Sequence, residues 1–471
     1  MHMQYYMQSN EDTIVAIATP LGQAGIGVIR VSGPGAVGVA DSVFTSTSVS
    51  KPSTLASHTV HLGEILDPST QEPIDQALLT VFRSPHSYTG EDAVEFSCHG
   101  GSATLRRVLE VIVSAGARHA EPGEFTKRAF LNGKMDLAQA EAVNDLIRAQ
   151  TDEAQRIALR QLEGRLSTEV RGVTQALGGI LAGVEASIDF PDDVEEPEYA
   201  EMGQRIESLS CHLRELLAAA DRGRIYREGI RVAITGRPNV GKSSLLNALL
   251  RESRAIVTPI PGTTRDTIEE TVNIKGIPVV AIDTAGLRET VDAVEQLGVR
   301  KAEETIDQAQ VVLMVIDLGD GVTVEDEGLR HKLTGKPVIC VLNKSDLLDD
   351  AQIERTVASA REKLEAKEIG VVSATTGDGI ERLEGQLAEI VLGGKAGQSE
   401  SVLVSNLRHR SAIQAALTSL EHTSLSIEER RPVDLLSVDL MAARNSLGEI
   451  TGETAADDLI DRIFSEFCIG K

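Results

Sequence analysis

Short β-branched runs open the chain: TIVAIA (13–18) and GVIRVS (27–32), separated by the turn-forming PLGQAGIG, predict two strands of one sheet. ALLTVF (77–82) and AVEFSCHG (93–100) predict two more, followed by an amphipathic helix over about 102–115. This region, ending near residue 125, reads as a mixed α/β unit. From Leu137 the apolar period lengthens to that of a helix: Leu137, Ala140, Val143 and Ile147, then Ala154, Ile157 and Leu162. A second set, Val170, Val173, Leu177, Leu181, Val184 and Ile188, ends at FPDD (190–193), and a third, Ile206, Leu209, Leu213 and Leu217, stops around Gly223. Long antiparallel helices joined by short loops describe a bundle. Strand and helix then alternate from Ile230 to about Val391, the pattern of a doubly wound parallel sheet. After GGKAGQSE (393–400) the helical period returns, with Ile413, Ala416, Leu417 and Leu420, then Leu435, Val438 and Met441, then Leu459, Ile463 and Phe467. The α/β block therefore reads as an insertion into a helical domain, which is tolerated where two chain ends lie close together.

At 471 residues the chain has room for about three domains of about 150 residues, each with its own core. Low aromatic content and the absence of Trp suit Ala/Leu-rich helices better than a β-sandwich. The formal charge, 46 basic minus 71 acidic residues, is −25 and opposes generic binding to phosphate backbones or anionic membranes. Any nucleic-acid contact then needs a local patch or a bound partner. Cys98, Cys211, Cys340 and Cys468 are far apart with no CxxC, which argues against zinc and a disulfide framework and points to a reducing cytoplasm. Neither a membrane span nor an export signal is expected, and residues 1–11 read as a disordered extension. The acidic run 192–198 reads as a solvated loop rather than a metal site, because Pro191 and Pro197 prevent a regular ligand-bearing helix.

The chemistry concentrates in the alternating block. GRPNVGKSS (236–244) lies between an apolar strand and a helix-forming run, so it reads as a phosphate loop. Gly236 and Gly241 let backbone N–H groups of Asn239, Val240, Gly241, Lys242, Ser243 and Ser244 turn towards a polyphosphate at the helix N-terminus. Lys242 is expected to reach the β/γ-phosphates and Ser243 to hold Mg²⁺. PGTTRD (261–266) supplies Thr263 and Thr264, the latter for Mg²⁺ and the γ-phosphate. Asp283, Thr284, Ala285 and Gly286 follow the strand 278–282: Asp283 would hold the metal's water shell and the Gly286 N–H would sense the γ-phosphate. Asn343, Lys344, Ser345 and Asp346 follow the strand 338–342. The Asp346 carboxylate there can accept the guanine N1–H and N2–H₂, which adenine lacks. Ser373 and Ala374, after Val371 and Val372, would reach guanine O6. Five motifs in order, each after a predicted strand, specify GTP binding at a topological switch point. Where Ras-type GTPases place a water-orienting glutamine, this chain has Leu287, so hydrolysis needs help or another residue fills the role.

Several motifs lie outside that block: DTIVAIATP (12–20), SYTGEDAVEFSCHGG (87–101), EPGEFTKRAFLNGKMDLAQAEAV (121–143), IDFPDD (188–193) and FCIGK (467–471). With them, residues 12–471 resemble the bacterial MnmE (TrmE) family of tRNA-modification GTPases. The resemblance implies a multidomain α/β plus all-α fold class. Its parts are a disordered extension (1–11), an N-terminal tetrahydrofolate-binding and dimerisation α/β domain (12–127), a helical bundle (128–224 and 393–471) and an inserted Ras-like P-loop GTPase domain (225–392).

The family is homodimeric through the N-terminal domain and forms a heterotetramer with the flavoprotein MnmG, which supplies FAD and NADH. Together they install an aminomethyl or carboxymethylaminomethyl group at C5 of the wobble uridine (U34) of certain tRNAs, with a one-carbon unit from 5,10-methylenetetrahydrofolate or 5-formyltetrahydrofolate. By motif, the resemblance implies folate contacts at Arg30, Glu95, Lys134 and Lys471 and a functional cysteine at Cys468. It further implies K⁺ activation through Asn239, Thr258, Ile260 and Thr263, with Glu295 as the catalytic glutamate beside Lys242. Taken alone, Arg30 also reads as a snorkelling edge residue, Lys134 as a surface lysine and Cys468 as a buried small hydrophobe. A second reading, a GTP-gated RNA-binding or ribosome-assembly switch, lacks its expected RNA module: the candidate GxxG (394–397) lies in an inter-domain loop. A stand-alone folate aminomethyltransferase leaves the GTPase block unexplained.

Overall fold

The computed structural model describes residues 12–46, 51–195, 197–252, 270–283, 306–394 and 404–471. The N-terminal extension, Thr258, Ile260, Thr263, Thr264, Thr284, Ala285, Gly286, Leu287 and Glu295 lie outside the described residues. The chain forms two compact units: Met1–Asn144 with Ser167–Ala176 and Arg444–Lys471, and Asp145–Leu166 with Leu177–Ala443.

In the first unit, β1 (Ile14–Ile17), β2 (Ala24–Ser32), β3 (Phe44–Thr45), β4 (Thr59–Leu66), β5 (Pro73–Phe82), β6 (Ala93–Gly100) and β7 (Arg118–His119) form one sheet. Their order is β3-β4-β5-β6-β2-β1-β7. All neighbours are antiparallel except β1 and β7. The two-residue alternation of the strands divides the sheet into two faces. Ile29, Val31, Leu79, Val81, Val94 and Phe96 pack against the helices Ala36–Val43 and Ser102–Ser114, which contribute Val39, Val43, Leu105 and Val108. Arg30 and Glu95, directly opposite each other on β2 and β6, lie on the other face. There the helix Glu124–Leu131 buries Phe125 among Ile14, Ala16 and Ala120. Near the C-terminus, Ile460, Phe464 and Phe467 bury Leu137 and Ala140.

Two expectations shift. β2 begins at Ala24, inside the stretch read as a turn. β4 was not expected, because TVHLGEIL places Val60 and Leu62, each 57% exposed, on its outward side and so lacks a polar face.

The second unit contains β8 (Ile230–Thr235), β9 (Glu270–Ile274), β10 (Ile277–Asp283), β11 (Val311–Asp317), β12 (Val338–Asn343) and β13 (Glu368–Val371), in the order β13-β12-β11-β8-β10-β9. The expected parallel sheet is corrected at one edge: β9 runs antiparallel to β10, because the two residues Lys275 and Gly276 leave room only for a hairpin. The other pairings are parallel. The whole run Val311–Ile316 is buried, as a central strand covered on both faces requires.

The helices of this unit begin with Asp152–Leu162 and include Tyr199–Glu228 and Leu407–Glu428. The expected stop near Gly223 is wrong. The helix continues to Glu228 because its last turn buries Tyr226 in the same apolar cluster as Val272, Ile274 and Ile277, and it ends at Gly229, φ +73°. Thr151 caps Asp152–Leu162 by accepting from Ala154 N, and its Oγ1 donates to the Gly276 carbonyl at 2.8 Å.

The stripe Leu435, Val438 and Met441, expected to be buried, is exposed on the helix Val433–Thr451. Leu436, Leu440, Ala443 and Leu447 are buried instead. Both triplets fit a helical period, so spacing alone does not choose between the faces. The acidic run begins in a turn, with Asp193 N and Val194 N donating to Phe190 O. No helix among the described residues is long and apolar enough to cross a membrane.

Candidate functional site

The segment between β8 and the helix Lys242–Glu252 turns at residues with positive φ: +146° at Gly236, +62° at Asn239 and +98° at Gly241. A Cβ on Gly236 would press on the Val315 carbonyl and one on Gly241 on the Asn343 amide, so neither position accepts a side chain. The Lys242 ammonium folds back over the loop and donates to the carbonyls of Gly236 (2.9 Å) and Arg237 (2.8 Å). Ser243 and Ser244 are exposed in the first turn of the helix, where backbone donors point outward.

Asn343, 2% exposed at the end of β12, locks two segments together. Its Nδ2 donates to Val240 O at 2.9 Å and its Oδ1 accepts from Ala374 N at 3.0 Å. Lys344, φ +71°, sends its ammonium to Asn239 O (3.1 Å) and to Asp317 Oδ2 (2.6 Å). Asp346 Oδ1 accepts from the buried Ser373 hydroxyl at 2.6 Å, and that hydroxyl accepts from Thr376 N at 3.2 Å. Asp283 closes β10 opposite Ile234 of β8. The described members, which belong to four of the five motifs, thus gather at the C-terminal ends of the parallel strands. The assembly offers a backbone cradle and an ammonium for phosphates, and a carboxylate held by a hydroxyl for a purine edge.

A second cluster belongs to the first unit. Arg30 Nε donates to Glu95 Oε1 at 2.8 Å, and the guanidinium lies 5.4 Å from the Tyr88 ring centre and 5.7 Å from that of Phe125. Two aromatic faces and one carboxylate fix the plane of that guanidinium. The Tyr88 hydroxyl pairs with the Thr126 hydroxyl at 2.9 Å. The last residues return to β1, where a Cβ on Gly470 would meet the Ile17 carbonyl at 2.5 Å. Lys471 comes within electrostatic range of Arg30, Glu95 and Cys468; burial and the Arg30 cation hold its amine below the usual lysine range. Cys468 is exposed, which sets aside its reading as a buried small hydrophobe. Lys134 donates to Pro85 O at 3.0 Å, on the loop that carries Tyr88. Beneath that loop Arg128, its side chain 3% exposed, bonds Asp12, Glu91 and Glu124 together.

The family model for the GTP-binding protein TrmE N-terminus matches residues 13–134, and the MnmE helical domain model matches residues 137–468. The chain belongs to the MnmE family. The tRNA modification GTPase MnmE of Desulforamulus reducens is 48% identical over 462 residues, covering 98% of this chain and 100% of that protein. The one from Carboxydothermus hydrogenoformans is 48% identical over 464 residues, with coverage of 98% and 100%. Era of Aquifex aeolicus, bound to GDP and AlF4−, is similar at 28% identity over 40% of this chain and 66% of that one, with a TM-score of 0.29.

In this MnmE-family chain some participants were not singled out from sequence. Tyr88 and Phe125 lie inside the family motifs SYTGEDAVE and EPGEFTKR, but only their three-dimensional approach to Arg30 brings them into the cluster. Arg237, inside the phosphate loop, is gripped by Asp320 and Asp326, each at 3.2 Å. Two arginines of the second unit that lie close in sequence are engaged within it: Arg227 with Asp145 at 2.8 Å and Arg231 with Gln308 at 2.7 Å. That agrees with a structural role for those two rather than an open anion surface.

Proposed function

We propose that this MnmE-family chain is a GTP hydrolase acting in tRNA modification. With MnmG it installs an aminomethyl or carboxymethylaminomethyl group at C5 of wobble uridine (U34), drawing the one-carbon unit from tetrahydrofolate. The observation that carries this reading is the Arg30–Glu95 pair with Tyr88, Phe125 and Lys471 around it and the exposed Cys468 nearby. A nucleotide switch has no use for such a cluster. A pteridine presents an amide-like edge that Glu95 can bind at two points, the aromatic rings suit its flat face, and Arg30 and Lys471 suit an anionic glutamate tail. Lys134 extends the same binding surface. Ile26, Val60, Leu62 and Leu78 are exposed on the strands of this sheet, which supports a homodimer through the N-terminal domain. The setting is the cytoplasm, and the working division is the three-domain one with the GTPase inserted into the helical domain.

The test is nucleoside analysis of tRNA from cells lacking the gene and complemented with the wild type or with Glu95→Ala. The C5 group is expected to be absent without the gene, restored by the wild type and not restored by Glu95→Ala. Unchanged wobble uridines in the deletion strain overturn the reading.

In the GTPase site, Ser243 with Thr264 would hold Mg²⁺, and Asn239 with Thr258, Ile260 and Thr263 would hold K⁺. Asn239 is exposed and has a left-handed backbone, in keeping with a ligand role. A monovalent cation on the β/γ-phosphates supplies the charge an arginine finger otherwise brings, and Glu295 orients the attacking water in place of a glutamine at Leu287. GTP turnover is therefore expected to rise by about tenfold or more when K⁺ replaces Na⁺. An Asn239→Ala protein that keeps the full response removes Asn239 from the ligand set.

A further inference from the structure

Asp317, the last residue of β11, stands opposite Asn343 in the parallel register. Its Oδ2 meets Lys344 Nζ at 2.6 Å, and its Oδ1 accepts from Gly319 N at 2.8 Å. The two side chains are only 14% and 33% exposed, so the pair is partly shielded from water. The same ammonium donates to Asn239 O of the phosphate loop at 3.1 Å. The Lys344 stem thus spans from the end of β12 to the phosphate loop, anchored by its backbone at one end and by Asp317 and Asn239 at the other. Burial by itself would raise the Asp317 carboxyl, but the bonds from Lys344 and Gly319 outweigh it and hold the group below the usual carboxylate range, so it is charged at neutral pH.

We propose that Asp317 is a positioning residue for the guanine nucleotide, acting through Lys344 by holding its aliphatic stem as a preformed wall for the base. The proposal rests on the reading of Asn343, Lys344 and Asp346 as the base-recognition element. A lysine side chain left free loses rotamer entropy when a ligand orders it, whereas one already pinned does not. The loop itself has other anchors, the bonds from Arg237 to Asp320 and Asp326.

The experiment is a double-mutant cycle on the full chain with Asp317→Asn, Lys344→Ala and the double variant. It reads Kd for a fluorescent GDP analogue together with KM and kcat for GTP. Asp317→Asn is expected to weaken GDP and raise KM by on the order of tenfold, with kcat within about twofold of the wild type. The double variant should bind no more weakly than Lys344→Ala alone, because the two changes remove one interaction. Lys344→Met, which keeps the stem and deletes the anchor, should show the same loss and covers the case in which Asp317→Asn folds poorly. Effects of Asp317→Asn and Lys344→Ala that multiply in the double variant overturn the proposal. So does unchanged affinity in Asp317→Asn when Lys344→Ala weakens binding. Unchanged affinity in Lys344→Ala itself overturns the reading of Lys344 as a nucleotide contact, and the proposal with it.

Discussion

Replacing Lys242 with alanine is expected to lower kcat/KM for GTP by about 10²–10³-fold, the cost of removing one charged donor from a preorganised phosphoryl-transfer site. The Lys242 ammonium donates to two carbonyls of its own loop, those of Gly236 and Arg237. Phosphate oxygens offer that ammonium a charged acceptor, and the attraction is strongest where negative charge accumulates in the transition state. Alanine frees those carbonyls to water at a partly exposed loop, which costs the fold little. Steady-state hydrolysis and a thermal melt of the nucleotide-free protein check the result. The expected pattern is a large kinetic loss with a melting temperature within a few degrees of the wild type. A variant that retains more than about a tenth of the activity contradicts the role of Lys242.

Asp346→Asn is expected to lower GTP affinity by on the order of 10³-fold, because one hydrogen bond to guanine becomes a donor–donor clash and the other loses its charge assistance, where charge-assisted bonds contribute about 1.5–3 kcal/mol each. The loss is selective. Asparagine presents one acceptor and one donor where aspartate presents two acceptors. Xanthine carries a carbonyl at C2 in place of the guanine amine, so XTP gains what GTP loses. The geometry favours a clean exchange, since the Ser373 hydroxyl that holds Asp346 Oδ1 at 2.6 Å can accompany either side chain. Hydrolysis of GTP and XTP compared in the two proteins provides the check. A variant that loses GTP without gaining XTP places the base elsewhere.

Much of this architecture was legible because its signals are local. A glycine-punctuated loop between an apolar run and a helix, with Asn343, Lys344 and Asp346 after another apolar run, defines a nucleotide site by spacing alone, and the strands and helices appear where those runs predict them. What was misread depended on partners distant in sequence. Leu435, Val438 and Met441 carry the period of a buried face as well as Leu436, Leu440 and Leu447 do, and only packing selects the second set. The helix Tyr199–Glu228 runs through Gly223 because Tyr226, beyond it, has an apolar cluster to enter. β9 turns antiparallel because a two-residue connection admits no crossover.

The sequence by itself determined the family, through motifs that mark an MnmE-family chain, and the kind of chemistry proposed for it: a phosphate cradle and a guanine-reading carboxylate. Tertiary structure alone decided how those groups are held. Asn343 ties the phosphate loop to the loop at Ala374, Asp317 and Asn239 pin Lys344, and Tyr88 with Phe125 flank Arg30 across separate elements. Each of these contacts joins residues far apart along the chain. Motif spacing records what a segment does with its own backbone, whereas such a contact exists only once the strands have paired and the loops at their ends have converged.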